Sequence, residues 1–453
     1  MAALVASGRR PPGTPRLLEP PVTLPAPPPP PGWPTPLAAA AFHGVAGEII
    51  RLIEPESEAD PAGMLIQLLV GAGSAIGRGP HFLVESTEHH ASLFAVLTGA
   101  TASARKGTSW DRVRPAIEAA DPDWAHRVMG GISSGEGLIW AVRNPITKTA
   151  QNTVTGAVEE VVVDGGENDK RLLAELPEFA GLLRVIEREG NTLSVVLRQG
   201  WDSGRLRNLT KNSPIHTTNA HVSVIGHVTA EELRRYLTRT ETANGFANRF
   251  LWVAVRRTKL LPEGGRALDL NPCAERLRVA IELARTRGRL VRDPTATRLW
   301  REVYPRLTAD RPGLLGKVLA RGAPQVMRVA LVYALLDCAD SITEPHLEAA
   351  LAVWGHAEAS ATYLFGTALG DPVADEIAAL LMARPGGALR SELRDHFGRN
   401  RSSDEIGRAL GVLVTAGRAR ASIEPPEGGR GRPAERWRAT GPGDLPGDKE
   451  TVL

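Results

Sequence analysis

Apolar positions from Phe42 to Gly79 recur at helical spacing. Val45, Ile49, Ile50 and Ile53 form one stripe, and Leu65, Leu68 and Leu69 form another. Asp60-Pro61 opens the second of the two helices this pattern predicts. The next stretch reads differently. Short apolar runs, LFAVL (Leu93 to Leu97), RLLAEL (Arg171 to Leu176), HVSVIGHV (His221 to Val228) and RFLWVAV (Arg249 to Val255), are spaced by helix-like segments. Strands alternating with helices predict βαβ units and a mainly parallel sheet, which binds ligands at the carboxyl ends of its strands. Arg257 to Gly264 reads as a boundary, and Pro272 to Gly370 as Ala-rich amphipathic helices. Asp371-Pro372 then opens a smaller unit. Three helices (Val373 to Met382, Leu389 to Phe397, Ser402 to Ala416) are followed by strands at Ala419 to Glu424 and Ala434 to Ala439. That order predicts a winged helix-turn-helix.

Composition adds the two ends. Thirteen of the 35 prolines fall within the first 36 residues, with an unbroken run from Pro27 to Pro31. Such a segment favours extended polyproline conformations and cannot bury a core, so 1–36 is expected to be a disordered tail, as is 441–453. The expected organisation between them is an α/β core over 37–258, a helical region over 259–370 and the winged helix over 371–440.

Charge excludes some function classes. Lys plus Arg is 54 against 51 Asp plus Glu, a net charge of +3, which is neither a uniformly basic nucleic-acid coat nor an acidic solvating chain. The two cysteines, Cys273 and Cys338, exclude a disulfide framework and a cysteine-based zinc site. The start lacks a secretory signal, and the longest apolar run, Met64 to Gly73, is broken by Gln67 and too short for a membrane span. A soluble, cytoplasmic protein is expected. Lysine occurs only seven times among the 54 cationic residues, so each lysine's position carries information.

One of those lysines lies in LFAVLTGATASARKGTSWDRV. An apolar strand ends at Leu97, small residues follow from Gly99, and Arg105-Lys106-Gly107-Thr108-Ser109 leads into a helix. Phosphate cradling needs these parts: backbone N–H groups, a lysine for the terminal phosphates, a hydroxyl for Mg²⁺ and a helix N-terminus behind them. The usual GxxxxGK[ST] spacing is not met, because Gly99 to Lys106 is one residue longer and Gly107 separates the lysine from Thr108. A basic surface turn is the competing reading.

Four further candidate segments follow in order. Glu136, in GGISSGEGLIW, is a carboxylate that can orient an attacking water, or a helix-start acid beside a Ser133 or Ser134 cap. Glu175 and Glu178 close RLLAELPEF, where a second Mg²⁺ position is needed. His227 and Thr229 end the HVSVIGHVT strand, where a nucleotide sensor sits. Arg249, in NGFANRFLW, can serve its own subunit or reach a neighbour's phosphate. His81, His89 and His90 are expected on a strand-flanking loop, Lys211 in a solvated or nucleic-acid-contacting loop, and Trp300, Tyr304, Trp354 and Tyr363 in packing.

Taken together, GATASARKGTSW, GGISSGEGLIWAVRNPI, LPEFAGLLRV, NTLSVVLRQGWDSGRLRNLTKNSP, HVSVIGHVTAEELRRYL and NGFANRFLW resemble a bacterial and prophage family catalogued as a domain of unknown function. Its members occur fused to, or near, primase-polymerase modules and are interpreted as RecA-like P-loop ATPases related to replicative helicases. The resemblance covers about Phe42 to Trp437. It implies ATP and Mg²⁺ as cofactors, with phosphate-loop roles for Gly99, Arg105, Lys106, Gly107, Thr108 and Ser109 and metal roles for Thr108 and Glu178. It also implies catalytic roles for Glu136 and Glu178, a sensor at His227 or Thr229, and a phosphate-facing Arg249. A homo-oligomer with a replication or primase partner, and no membrane, goes with it.

From Arg384 to Arg438 there are twelve arginines and seven acids, a local charge of +5. Arg408 and Arg418 at the third helix, and Arg430 and Arg432 in the GGRGRP turn, are the expected DNA contacts. The expected function is a DNA-associated ATPase, helicase-like or primase-accessory. A DNA-binding protein with a non-hydrolysing P-loop fold, and an adaptor that docks other proteins, are the alternatives.

Overall fold

The computed structural model describes residues 22–30, 32–151, 158–209, 214–237, 239–311, 313–366, 371–424 and 433–440. Its centre is a five-stranded sheet. In chain order the strands are β1 (Phe94–Thr98), β2 (Val128–Met129), β3 (Arg171–Leu176), β4 (His221–Val228) and β5 (Phe250–Ala254). All neighbours are parallel, in the order β5-β1-β4-β3-β2. Phe94 to Thr98 lie in register with Val224 to Val228 on one side and Phe250 to Ala254 on the other. Every residue of β1, β4 and β5 is buried, as a sheet covered on both faces requires. The α/β class and the parallel sheet match the expectation. The two-residue β2 was not foreseen, because HRVMGG carries no strand-length apolar run.

On one face lies α1 (Pro61–Ile76), started by Asp60, whose carboxylate accepts from the Ala62 N–H at 3.0 Å. It is buried from Ala62 to Ile76, since a helix apolar all round belongs between layers. Beside it packs α2 (Lys106–Ala120). The crossovers α3 (Gly135–Ala141), α4 (Phe179–Ile186) and α5 (Leu193–Asp202) join the short strands, and α6 (Ala230–Tyr236) follows β4.

The region after Arg257 does not form its own core. Helices α7 (Gly322–Leu336) and α8 (Glu344–Phe365) belong to the same apolar cluster as the sheet, which runs from Ala41 to Phe365. The expected boundary at Arg257 to Gly264 is a surface crossing that divides no core. The proline-rich segment also departs from expectation. Leu24–Pro25 pair with Lys259–Leu260, Arg256 donates to the Pro27 carbonyl at 2.9 Å, and Trp33 meets Tyr363 edge-on at 5.1 Å. Proline removes N–H donors but leaves carbonyls, and these dock the strap. Residues 1–21 and 441–453 lie outside the described residues.

His81, His89 and His90 sit in strands, His81–Val84 and Thr87–His90, of a second small sheet rather than in a loop. A separate apolar cluster holds the C-terminal unit. Its order is α9 (Pro372–Ala383), β6 (Ala388–Leu389), α10 (Arg390–His396), α11 (Ser403–Thr415), β7 (Ala419–Glu424) and β8 (Ala434–Ala439). Among the described residues no helix is long and apolar enough to cross a membrane.

Candidate functional site

Both neighbours grip β1 up to its last residue. The Val255 N–H donates to the Thr98 carbonyl at 2.9 Å, and the Gly99 N–H donates to Val228 at 3.2 Å. At Gly99 the chain turns so tightly that a Cβ would stand 2.3 Å from the Val255 carbonyl oxygen and 2.7 Å from Ala104 Cβ. The loop that follows holds two non-glycine residues in the left-handed region, Ala102 (φ 52°) and Arg105 (φ 54°). Each costs about 1–2 kcal/mol, and such strain collects at ligand sites.

Lys106 is the first residue of α2, and its ammonium curls back into this loop. Nζ donates to the carbonyls of Gly99 at 2.7 Å and Ala100 at 3.0 Å. Burial lowers its pKa, opposed by the Glu232 carboxylate. A cation at a helix N-terminus opposes the macrodipole, so a bound anion would relieve both.

The neighbouring candidates divide. Arg105 Nε is held at 2.8 Å by Glu58, so its guanidinium is already paired. Gly107 has open space where a Cβ would stand. Thr108 is exposed. Ser109 is a correction to the expected phosphate contact: its hydroxyl donates to the Lys106 carbonyl at 2.6 Å and accepts from Gln67 Nε2 at 2.6 Å, inside the core. One residue along a helix turns the side chain by about 100°, so the Thr108 hydroxyl faces solvent while that of Ser109 faces the core.

Beneath the loop runs a buried polar chain. His227 Nε2 donates to Gln67 Oε1 at 2.8 Å, and Gln67 Nε2 also donates to the Gly63 carbonyl at 3.1 Å. Burial, helped by the Lys106 charge, pushes the His227 pKa down to about 4. Thr229 caps α6 in a capping box with Glu232. That box holds the Glu232 carboxyl below its usual range, with Lys106 and Arg184 adding to it. Gln67 and Glu232 were missed as site residues. Their signals were present, as the one polar break in the longest apolar run and as the fourth residue of TAEE.

The acids spread along the same sheet edge. Leu176 is in register with Gly226, and Gly226 with Val96, so Glu178 lies level with the end of the lysine strand. Two strand spacings separate them, about 10 Å. Glu178 is exposed, and its side chain makes no cap bond to α4. Glu175 instead pairs with Arg114 of α2 at 3.1 Å. Glu136 lies seven residues beyond β2, the strand at the far side of the sheet from β5. Its Oε1 accepts from Asn208 Nδ2 at 2.9 Å, and Ser134 caps the Gly137 N–H at 3.0 Å.

Arg249 does not join them. It precedes Phe250, whose partner Phe94 begins β1, so it lies at the amino edge, a strand length from Lys106. It is buried, with Nη2 on Asp202 at 2.6 Å and Nη1 on the Gly245 carbonyl. Within its own subunit Arg249 is therefore held away from the Lys106 loop, with both terminal nitrogens engaged at the other end of the sheet.

In the C-terminal unit, Arg408 is 3.8 Å from Asp371, the residue that caps α9. Arg418 is exposed, and Arg430 and Arg432 lie outside the described residues. Arg390, Arg399 and Arg401 pair with Glu435, Asp395 and Glu405, and Arg436 and Arg438 share Glu424. Six of the twelve arginines thus stand beside carboxylates, but the acids of the segment are already counted in its local charge, so the excess of +5 remains.

His43, Asp337 and His346 bring potential metal-ligand atoms within 4.8 Å of one another. The Thr343 N–H donates to His346 Nδ1 at 3.0 Å, so neutral His346 carries its proton on Nε2 and gives it to Asp337 at 3.2 Å. This is a hydrogen-bonded clamp rather than a metal donor set, whose histidines donate their other N–H outward. No protein-family model matches the chain, and no curated protein matches it in sequence.

Proposed function

We propose that the chain is a DNA-associated ATPase with a RecA-like P-loop core, helicase-like or primase-accessory in the replication of plasmid, prophage or other mobile DNA. One observation carries the reading: Lys106, first in its helix, stands inside a strained loop at the carboxyl end of an inner parallel strand. One strand separates the lysine strand from the acidic strand, an order compatible with a RecA-like core.

ATP binding would move the Lys106 ammonium from two neutral carbonyls to an anionic phosphate, a stronger partner. The Thr108 hydroxyl and Glu178 carboxylate, both exposed, are hard oxygen donors of the kind Mg²⁺ takes. Bound there, Mg²⁺ would neutralise phosphate charge. Glu178 can hold a water's proton at its carboxylate. His227, neutral and anchored on Gln67, reports the loop's state to α1. The element order of the C-terminal unit supports a winged helix, with Arg418 toward DNA; Arg430 and Arg432, outside the described residues, are proposed contacts from the sequence.

Two observations favour a second reading, in which nucleotide binds without turnover. Gly107 stands directly after the lysine, where the metal-binding hydroxyl is usual, and Glu136 is occupied by Asn208. ATP turnover with and without DNA, for wild type and Lys106→Ala, separates them. The first reading expects DNA-stimulated turnover reduced about 100-fold in the variant. Saturable nucleotide binding with no turnover selects the second, and unchanged turnover in the variant defeats the lysine site.

A further inference from the structure

The amino edge of the sheet carries more positive charge than its partners balance. Trp201, buried at the end of α5, has three guanidinium groups about its ring: Arg328 at 3.7 Å, Arg321 at 5.1 Å and Arg249 at 5.7 Å from the centroid. A fourth, Arg78, donates to the carbonyls of Ala220 and Ser203. Among the described residues, Asp202 is the one carboxylate ion-paired with any of these four, holding Arg249 and Arg321. Arg328 is 1% exposed, and its acceptors among the described residues are the Ser92 carbonyl and hydroxyl and the Trp201 carbonyl.

Buried charges are ordinarily paired, and the nearby histidines show the strain of this field. Burial and neighbouring arginines push His89 to about 4, His90 to about 2 and His221 to about 3. Burial and the Arg78 charge likewise pull Arg328 down to about 9. The Nε atoms of Arg249 and Arg328 are buried without a partner.

The cluster opens to solvent at Arg321 and Asp202, whose side chains are 33% and 41% exposed. From there cations recur along the chain that follows Asp202, beginning with Arg78 on the Ser203 carbonyl. Arg205 is exposed and close enough to Arg78 to lower its pKa, and Arg207 is exposed on the hairpin strand Leu206–Asn208. A single phosphate ion needs a cup, whereas a series of exposed guanidinium groups backed by buried charge suits a chain of phosphates.

We propose that this amino edge binds the phosphodiester backbone of a nucleic-acid strand, through Arg321, Arg205 and Arg207. The site is separate from the Lys106 loop and from the arginines of the C-terminal unit, and it stands whether or not ATP is hydrolysed.

The test is fluorescence anisotropy of a labelled single-stranded oligonucleotide of about 20 nucleotides with the full-length chain, over a range of salt. Arg205→Glu/Arg321→Glu alters one exposed side chain and one half-buried one that pairs with Asp202, so a charge-neutral Arg205→Gln/Arg321→Gln pair, with the urea midpoint of each variant, guards against misfolding. Affinity should fall at least about tenfold in both, and the slope of log K against log salt should drop by about 0.7 per lost contact. Lys106→Ala should bind the oligonucleotide as wild type does, so failure of the ATPase reading is told apart from failure of this one. Unchanged affinity and slope in both pairs would overturn the proposal. So would full displacement by millimolar inorganic phosphate at constant ionic strength, which would assign the cluster to a free anion.

Discussion

The two ends of one sheet have been given opposite polar chemistry. At the carboxyl end the Lys106 ammonium rests on two backbone carbonyls, and exposed Glu178 stands about 10 Å along the edge. At the amino end three arginines share the Trp201 ring, two of them pair with Asp202, and Arg78, Glu88 and three histidines of lowered pKa lie close by. The first end holds its charge loosely, with partners a ligand can replace. The second is built into the core, so most of it can be removed only at the cost of the fold. A parallel sheet produces this division, because its helix N-termini and connecting loops gather at the carboxyl edge.

The largest expected effect tests the built-in end. Trp201→Ala removes a buried indole that three guanidinium groups share, and should cost about 3–5 kcal/mol in urea unfolding. A loss under about 1 kcal/mol would break the contrast. Lys106→Ala at the other end should leave the urea midpoint nearly unchanged while lowering nucleotide turnover or binding steeply. A destabilised variant would show that the lysine is structural.

Acid comes next. His89, His90 and His221 at the amino end, and His227 at the other, keep folded pKa values of about 4, 2, 3 and 4 against an ordinary 6.5. Between 6.5 and these values the unfolded chain binds protons that the folded one refuses, so stability falls as pH falls. The upper bound is about 1.4 kcal/mol per pH unit for each histidine. Asp60, raised to about 6 by burial, opposes one of them, since the folded state binds its proton first between 6 and 3.8. Urea midpoints at pH 7, 6 and 5 check the net slope, and a flat profile would mean the histidines are not buried neutral.

The smallest effect separates two glycines of the lysine loop. Gly107→Ala meets open space and should stabilise the helix by up to about 1 kcal/mol. If thermal melting confirms that and nucleotide binding is nevertheless lost, the open space belongs to the ligand. Gly99→Ala should instead displace the loop and lower both stability and binding, because its Cβ would overlap the Val255 carbonyl.

Much of the fold was legible in the chain. LFAVL, RLLAEL and HVSVIGHV are strands close to where their apolar runs lie, and Asp60-Pro61 starts a helix, because burial and capping are local demands. The strand-loop-helix around Lys106 was legible for the same reason. Ser109 was misassigned because a hydroxyl's direction depends on helix phase and on Gln67, 42 residues away. The distance of Arg249 from Lys106 was not legible, because a position just before an apolar run does not say which sheet edge it occupies. The short β2 and the docked proline strap had no local signal, since their partners are distant in sequence.

By itself the sequence determined the elements, the α/β class and the presence of a lysine loop, through periodicity, capping and turn chemistry that neighbouring residues decide among themselves. Only the tertiary structure decided the strand order, the separation of Lys106 from Arg249, and the gathering of Arg78, Arg249, Arg321 and Arg328 around Trp201 and Asp202. Those follow from long-range packing, where residues more than a hundred positions apart share one buried volume.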